Sequence, residues 1–138
     1  MRAIIDVNVV LDVLLKRPSF HEASAKVLAA ATRKELHGFY CAASVGDTYY
    51  VLTKAIKDQA KAQRAMVTLL AIVSICPVDE HIVKEAIRDG WPDLEDAIIH
   101  QSARAAGLDT IITRNGKDFA KSTLTVLTPG EVLTRLRN

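Results

Sequence analysis

With 138 residues, 49% of them apolar and 25% charged, the chain has the length and composition of one globular domain able to bury a proper core. A net charge of +2 is too small to announce a nucleic-acid binder, and the longest mostly apolar run, AMVTLLAIVSICPV, is shorter than the roughly 20 residues of a membrane span. Cys41 and Cys76 have no C-x-x-C partner and no histidine at zinc-finger spacing, so they are expected as small buried apolar groups in a reducing compartment.

In chain order, RAIID reads as a short buried strand, and NVVLDVLLKR as a first helix with Val9, Val10, Val13 and Leu14 on one side, stopped by Pro18. FHEASAKVLAAATRKE is helical and LHGFYCA is a second strand. Ser44 is placed to cap a helix whose Val45, Thr48, Tyr49, Leu52, Ala55 and Ile56 fall on one stripe. A further helix runs from Lys61 to about Ala71, and AIVSICPV reads as a third strand ending near Pro77. Asp79 caps the helix HIVKEAIRDG, which Gly90 closes, and LEDAIIHQSARAA is another helix closed by Gly107. DTIITR and LTVLT are the fourth and fifth strands, and Pro129 starts the last helix.

Strands separated by helices of 10 or more residues must cross over and pair in parallel. The expected class is therefore α/β, a parallel sheet of about five strands with helices on both faces, spanning residues 1–138 as a single domain. In such sheets ligands sit beyond the carboxyl ends of the strands, where the chain order switches. Asp6, Asn115 and Asp118 all fall at such ends.

Charge is unevenly spread. Residues 16–64 hold nine Lys or Arg against four acids, and residues 79–96 hold seven acids against two bases. That pairing suits a polyanion beside a cation, and equally suits two solvated surfaces. Asp6, Asn8 and Asp12 interrupt any apolar leader at the N-terminus, so a cytoplasmic protein with no membrane association is expected.

Four stretches carry polar groups that a fold alone does not require. Asp6 or Asn8 would suffice to cap the first helix, yet both are present. In SVGD, Ser44 and Asp47 make a capping box, which leaves Asp47 in a first helical turn near the end of the second strand. In WPDLEDAIIHQSA, the spacing of Asp93, Asp96 and His100 puts them on one helix face, while Glu95 is expected to point elsewhere, toward Ile99. The macrodipole explains acids in a first turn, but an acid against an Ala-Ile-Ile core is costly without a partner. His100 reads as a hydrogen-bonding neighbour or a surface residue rather than a ligand. In TRNGKDF, Gly116 supplies a turn flanked by Asn115 and Asp118, behind Thr113 and Arg114. Asp12, Asp58, Asp79, Asp89 and Asp109 are accounted for as caps, turns or solvent-facing charges.

Topology brings these four stretches to one edge of the sheet. Two carboxylates about 4 Å apart repel by roughly 4 kcal/mol at an effective dielectric near 20, so several together need protons or a cation. Oxygen donors without thiolates suit Mg²⁺ or Mn²⁺ rather than zinc. A receiver-type phosphoacceptor shares such acids, but ICPVDE offers no lone aspartate at the third strand's end.

In order and spacing, MRAIIDVNVVLD, AASVGDTYYVL, DLEDAIIHQSARAAGLDTIITRNGKDF and TVLTPGEVL resemble a PIN domain of the bacterial toxin-like kind, over essentially the whole chain. The resemblance implies a three-layer α/β/α sandwich and a metal-dependent ribonuclease of the kind found as the toxin of VapBC-type pairs. It assigns Asp6, Asp47, Asp96 and Asn115 to the four acid positions, with Asp118 near the last. Asp47 stands where a glutamate is commoner, and Asn115 replaces a common aspartate, which weakens the case for a second metal. Asp6, Asp96, Asp47 and Asp118 would then hold Mg²⁺ or Mn²⁺. Asn8, Asp93 and Thr113 would support them, and Lys54, Arg114 and Lys117 would contact RNA phosphates. An antitoxin inserting an arginine among the carboxylates and a homodimer are the implied partners. Asn115 also keeps open a catalytically weak PIN domain that binds RNA or protein.

Overall fold

Alternation of apolar side chains along very short strands decides the layers. The computed structural model describes residues 1–137. Five strands, β1 (Arg2–Ile5), β2 (His37–Cys41), β3 (Ser74–Cys76), β4 (Thr110–Ile112) and β5 (Thr125–Leu127), pair in parallel in the order β3-β2-β1-β4-β5. Among the described residues six α-helices lie between strands, α1 (Val7–Leu14), α2 (His21–Thr32), α3 (Ala42–Ile56), α4 (Gln59–Ile72), α5 (Glu80–Asp89) and α6 (Leu94–Ala105), and α7 (Pro129–Arg137) follows β5. Ala3, Ile5, Tyr40 and Ile112 face a core built with Val9, Val10, Val27, Leu52, Leu69 and Val132, from α1 to α4 and α7. Ile4, Phe39, Cys41 and Ile111 point the other way, to Ile99 and Ala103 of α6 and to Phe119. Period-two alternation in the strands thus gives one sheet between two helical layers.

Several local expectations change. The third strand shrinks to Ser74–Cys76 because Ala71 and Ile72 finish α4. The first helix ends at Leu14, ahead of Pro18, and Lys16 turns the chain with φ 49°. Ser44 is no cap: α3 starts at Ala42, directly after β2, and Ser44 is buried in its first turn with its Oγ unpartnered among the described residues. Asp47 consequently lies in the second turn of α3. Ala55 faces solvent, off the buried stripe. Gly116 opens a single 3₁₀ turn, Gly116–Phe119. Asp79 does cap α5 through the Ile82 N–H, and Gly90 (φ 65°) and Gly107 (φ 70°) supply the left-handed residues past α5 and α6. Cys41 and Cys76 are buried, free register partners on β2 and β3.

β1 lies at the centre. The chain moves outward through β2 and β3, then returns to β1's other side with β4 and β5. The switch point therefore falls between β1 and β4, and its carboxyl-end crevice opens just past Asp6 and Thr113.

Candidate functional site

The crevice begins with Asp6, which is 6% exposed. Its backbone N–H extends the ladder to the Ile112 carbonyl (2.9 Å), so the carboxyl is carried on the last rung between β1 and β4. Oδ1 accepts from the Val7 N–H at 2.8 Å, and Oδ2 accepts from the Thr113 hydroxyl at 2.7 Å. Burial raises the carboxyl above its ordinary value. These two hydrogen bonds oppose that rise, and the charges of Asp118 and Asp93 add to it.

The next element is the first turn of α6. Asp93 is its N-cap and accepts from the Asp96 N–H at 3.2 Å. Asp96, half-buried, is pushed up to about 7, first by burial and then by the charges of Asp93, Asp6, Asp118 and Glu95. Glu95 corrects an expectation: it does not turn away toward Ile99. It is half-buried and pushed up to about 7 by burial, then by the neighbouring Asp47 of α3, with Asp93 and Asp6 adding. Adjacent helical residues diverge by about 100°. Both still address the crevice, because α6 packs against β1 and β2 below and α3 beside. Asp47 and Asp118 are exposed at its rim.

The loop after β4 supplies the remaining wall. Thr113 is fully buried; it donates to Asp6 and accepts from the Asn115 N–H (3.1 Å). Asn8 makes no hydrogen bond to a carboxylate among the described residues; its side-chain oxygen accepts from the Arg114 N–H at 3.3 Å. Arg114, expected as a phosphate contact, is instead committed to Asp12, at 2.6 Å from Nε and 3.2 Å from a terminal nitrogen, and its guanidinium lies 4.1 Å over the Phe20 ring. Asp12 is accordingly not solvent-facing; it is wholly buried, with Arg17 at 3.5 Å as a second partner. Lys117 is exposed on the 3₁₀ turn near Asp118. Lys54 is exposed near the end of α3, 5.3 Å over the Tyr50 ring and two helical turns beyond Asp47. His100 is buried; its Nε2 accepts from the Thr123 N–H at 3.4 Å, and burial lowers its basicity.

The topology thus brings Asp6, Asp47, Asp93, Asp96 and Asp118 to one crevice and adds Glu95. Among the described residues, no three acidic, histidine or cysteine groups close on a single point. The donor chemistry nevertheless fits a hard divalent ion: the donors are carboxylate oxygens, and each raises its neighbours' affinity for positive charge. The expected signal for Glu95 was present in the DLED run, but its side of α6 becomes decisive only once α3 is packed against it.

A parallel sheet in 3-2-1-4-5 order with acids at its switch point describes a recognisable class. Residues 2–117 match the PIN domain family, and the chain belongs to it. Over 97% of its length it is 26% identical to Ribonuclease VapC1 of Aquifex aeolicus (strain VF5), covering 94% of that protein. Among solved structures, it resembles one chain of VapBC2 from Rickettsia felis, crystallised on a DNA fragment from its promoter. The TM-score is 0.70 at 17% identity, over 93% of this chain and 98% of that one. VapC20 of Mycobacterium tuberculosis, a toxin that cleaves the sarcin–ricin loop, matches with a TM-score of 0.70 at 15% identity, over 86% of this chain and 94% of that one. At such identities the structures speak for the shared fold.

Proposed function

We propose that this single domain is a divalent-metal-dependent endoribonuclease and the toxin partner of a VapBC-type pair. The observation that carries the reading is the crevice itself, where Asp6, Glu95 and Asp96 are all raised by burial and mutual repulsion at the switch point of a PIN fold. The ribonuclease relative and the toxin likeness agree with it.

Asp6 and Asp96 would hold Mg²⁺ or Mn²⁺, with Glu95 half-buried beside them, Asp47 and Asp118 at the rim, and Asn115 able to offer a neutral oxygen. When bound, the ion supplies Lewis acidity toward a phosphodiester oxygen and neutralises developing charge. Thr113 and the Val7 N–H hold the two Asp6 carboxyl oxygens, one each, and keep the group from rotating. Glu95 and Asp96, each pushed up to about 7 by burial and neighbouring acids, would give up protons to a bound cation, so the affinity for the ion would rise with pH. Lys117 and Lys54 meet RNA phosphates at the rim. Arg114 acts through Asp12, holding the loop that carries Thr113, Asn115 and Asp118.

The partners are RNA, a cognate antitoxin whose arginine enters the acidic crevice, and a second copy of the chain. Among the described residues no helix is long and apolar enough to cross a membrane, and the cytoplasm is the compartment for such an enzyme. Labelled RNA incubated with Mg²⁺ or Mn²⁺ tests the assignment. Asp6→Asn and Asp96→Asn should each abolish cleavage, and activity surviving in either removes that residue from the site.

A further inference from the structure

Continuous with the acids lies a pocket of about 200 Å³ whose Trp91 and Lys121 the catalytic reading does not use. Asp93, Asp96 and Asp118 line it together with Trp91, Lys117 and Lys121. The volume admits one ring system and is below the range of drug-sized ligand sites. Trp91 follows the glycine that ends α5, and its indole is not loose. It stacks on the His100 imidazole (centroids 4.8 Å, 18° between planes) and meets Phe119 edge-on at 6.0 Å. His100 is four residues beyond Asp96 on α6, so the indole is locked to the helix that carries two of the acids. What remains of the ring faces the pocket, and both lysines are exposed there. A core tryptophan needs no such opening, nor two ammonium groups across from it.

From this geometry we infer that the pocket seats one nucleotide of a single-stranded RNA next to the acid cluster, its base against the Trp91 indole and its phosphate toward Lys117 and Lys121. Stacking on an aromatic face is tolerant of base identity, and a ring already held by His100 and Phe119 loses little freedom when a base arrives. The lysines supply the positive charge that the acidic wall lacks. This rests on the ribonuclease reading, but its test is separable from it.

Trp91 is the chain's only tryptophan, so its emission reports this pocket alone. Asp6→Asn protein in Mg²⁺ is titrated with a ten-nucleotide single-stranded RNA of mixed sequence, while wild-type protein is assayed for cleavage of the same RNA. Saturable quenching is expected. The K117A/K121A variant, which leaves the core untouched, should bind about tenfold more weakly and flatten the salt dependence by about 0.7 in log–log slope, as loss of one neutralised phosphate does. Trp91→Leu, checked for folding by circular dichroism, should lose about tenfold in affinity by gel shift, the size of one stack. Unchanged emission on RNA that is demonstrably bound, unchanged affinity in K117A/K121A, or no binding at all overturns the subsite. Cleavage without these signals would leave the nuclease standing and the pocket refuted; quenching without cleavage would do the reverse.

Discussion

A carboxylate buried at the end of a strand is either a cap or a reagent, and Asp6 has the environment for both. One oxygen takes the Val7 N–H as a cap does, while the other is gripped by the hydroxyl of Thr113, 107 residues away in the loop after β4. Capping alone does not require that second grip. Asp12 shows the opposite case, a buried carboxylate whose business is structural. With no exposure, it depends on the fork of Arg114 and a longer contact from Arg17. Arg114→Ala should therefore cost about 3–5 kcal/mol, because it strands a buried charge rather than deleting a surface pair. Urea unfolding measures this; a loss below about 1 kcal/mol would mean that water or Arg17 replaces the missing partner.

At the scale of elements, the first turn of α6 contributes most. Asp93 caps it, and Glu95 and Asp96 diverge from it to meet α3 on one side and β1 on the other. Glu95 thereby supplies the longer carboxylate that Asp47, one methylene shorter than glutamate, does not. Glu95→Gln should keep the fold and raise the Mg²⁺ concentration for half-maximal cleavage about tenfold or more, as loss of a supporting ligand does. An unchanged Mg²⁺ requirement would assign Glu95 to packing. The loop after β4 is likewise held as an element, by Asn8 on the Arg114 N–H, Asp12 on its guanidinium and Thr113 on the Asn115 N–H.

For the whole molecule, the crowded acids make stability depend on pH in an unusual direction. Asp96 moves from 3.8 to about 7 on folding and Glu95 from 4.5 to about 7. Folding thus favours their protonated forms. The contribution is complete below about 3.8 and is lost as pH rises toward and through 7. Both groups are only half-buried, so solvent damps its size. Metal-free protein should melt at a lower temperature at pH 8 than at pH 5.5. Mg²⁺ or Mn²⁺ should raise the melting temperature more at pH 8, where the carboxylates are ionised and free to bind. Calorimetry showing a metal-induced rise independent of pH would contradict ion binding at these acids.

Much of this was legible in residues whose reasons are local. The apolar run Ala3, Ile4 and Ile5 marked a buried strand, and Asp79, Gly90 and Gly107 marked helix ends by their own hydrogen bonds and φ angles. Helices between the first four strands already required a parallel sheet, and with it an acid-bearing edge. Ser44, Glu95, Asp12 and Arg114 were not legible, since each depends on what lies across from it. Tight packing starts α3 at Ala42, α3 turns Glu95 from a surface charge into a crevice group, and Asp12 and Arg114 meet across 102 residues. Periodicity and capping chemistry act within a few residues and so are written along the chain. Burial and charge compensation act between elements, and only the folded packing decides them.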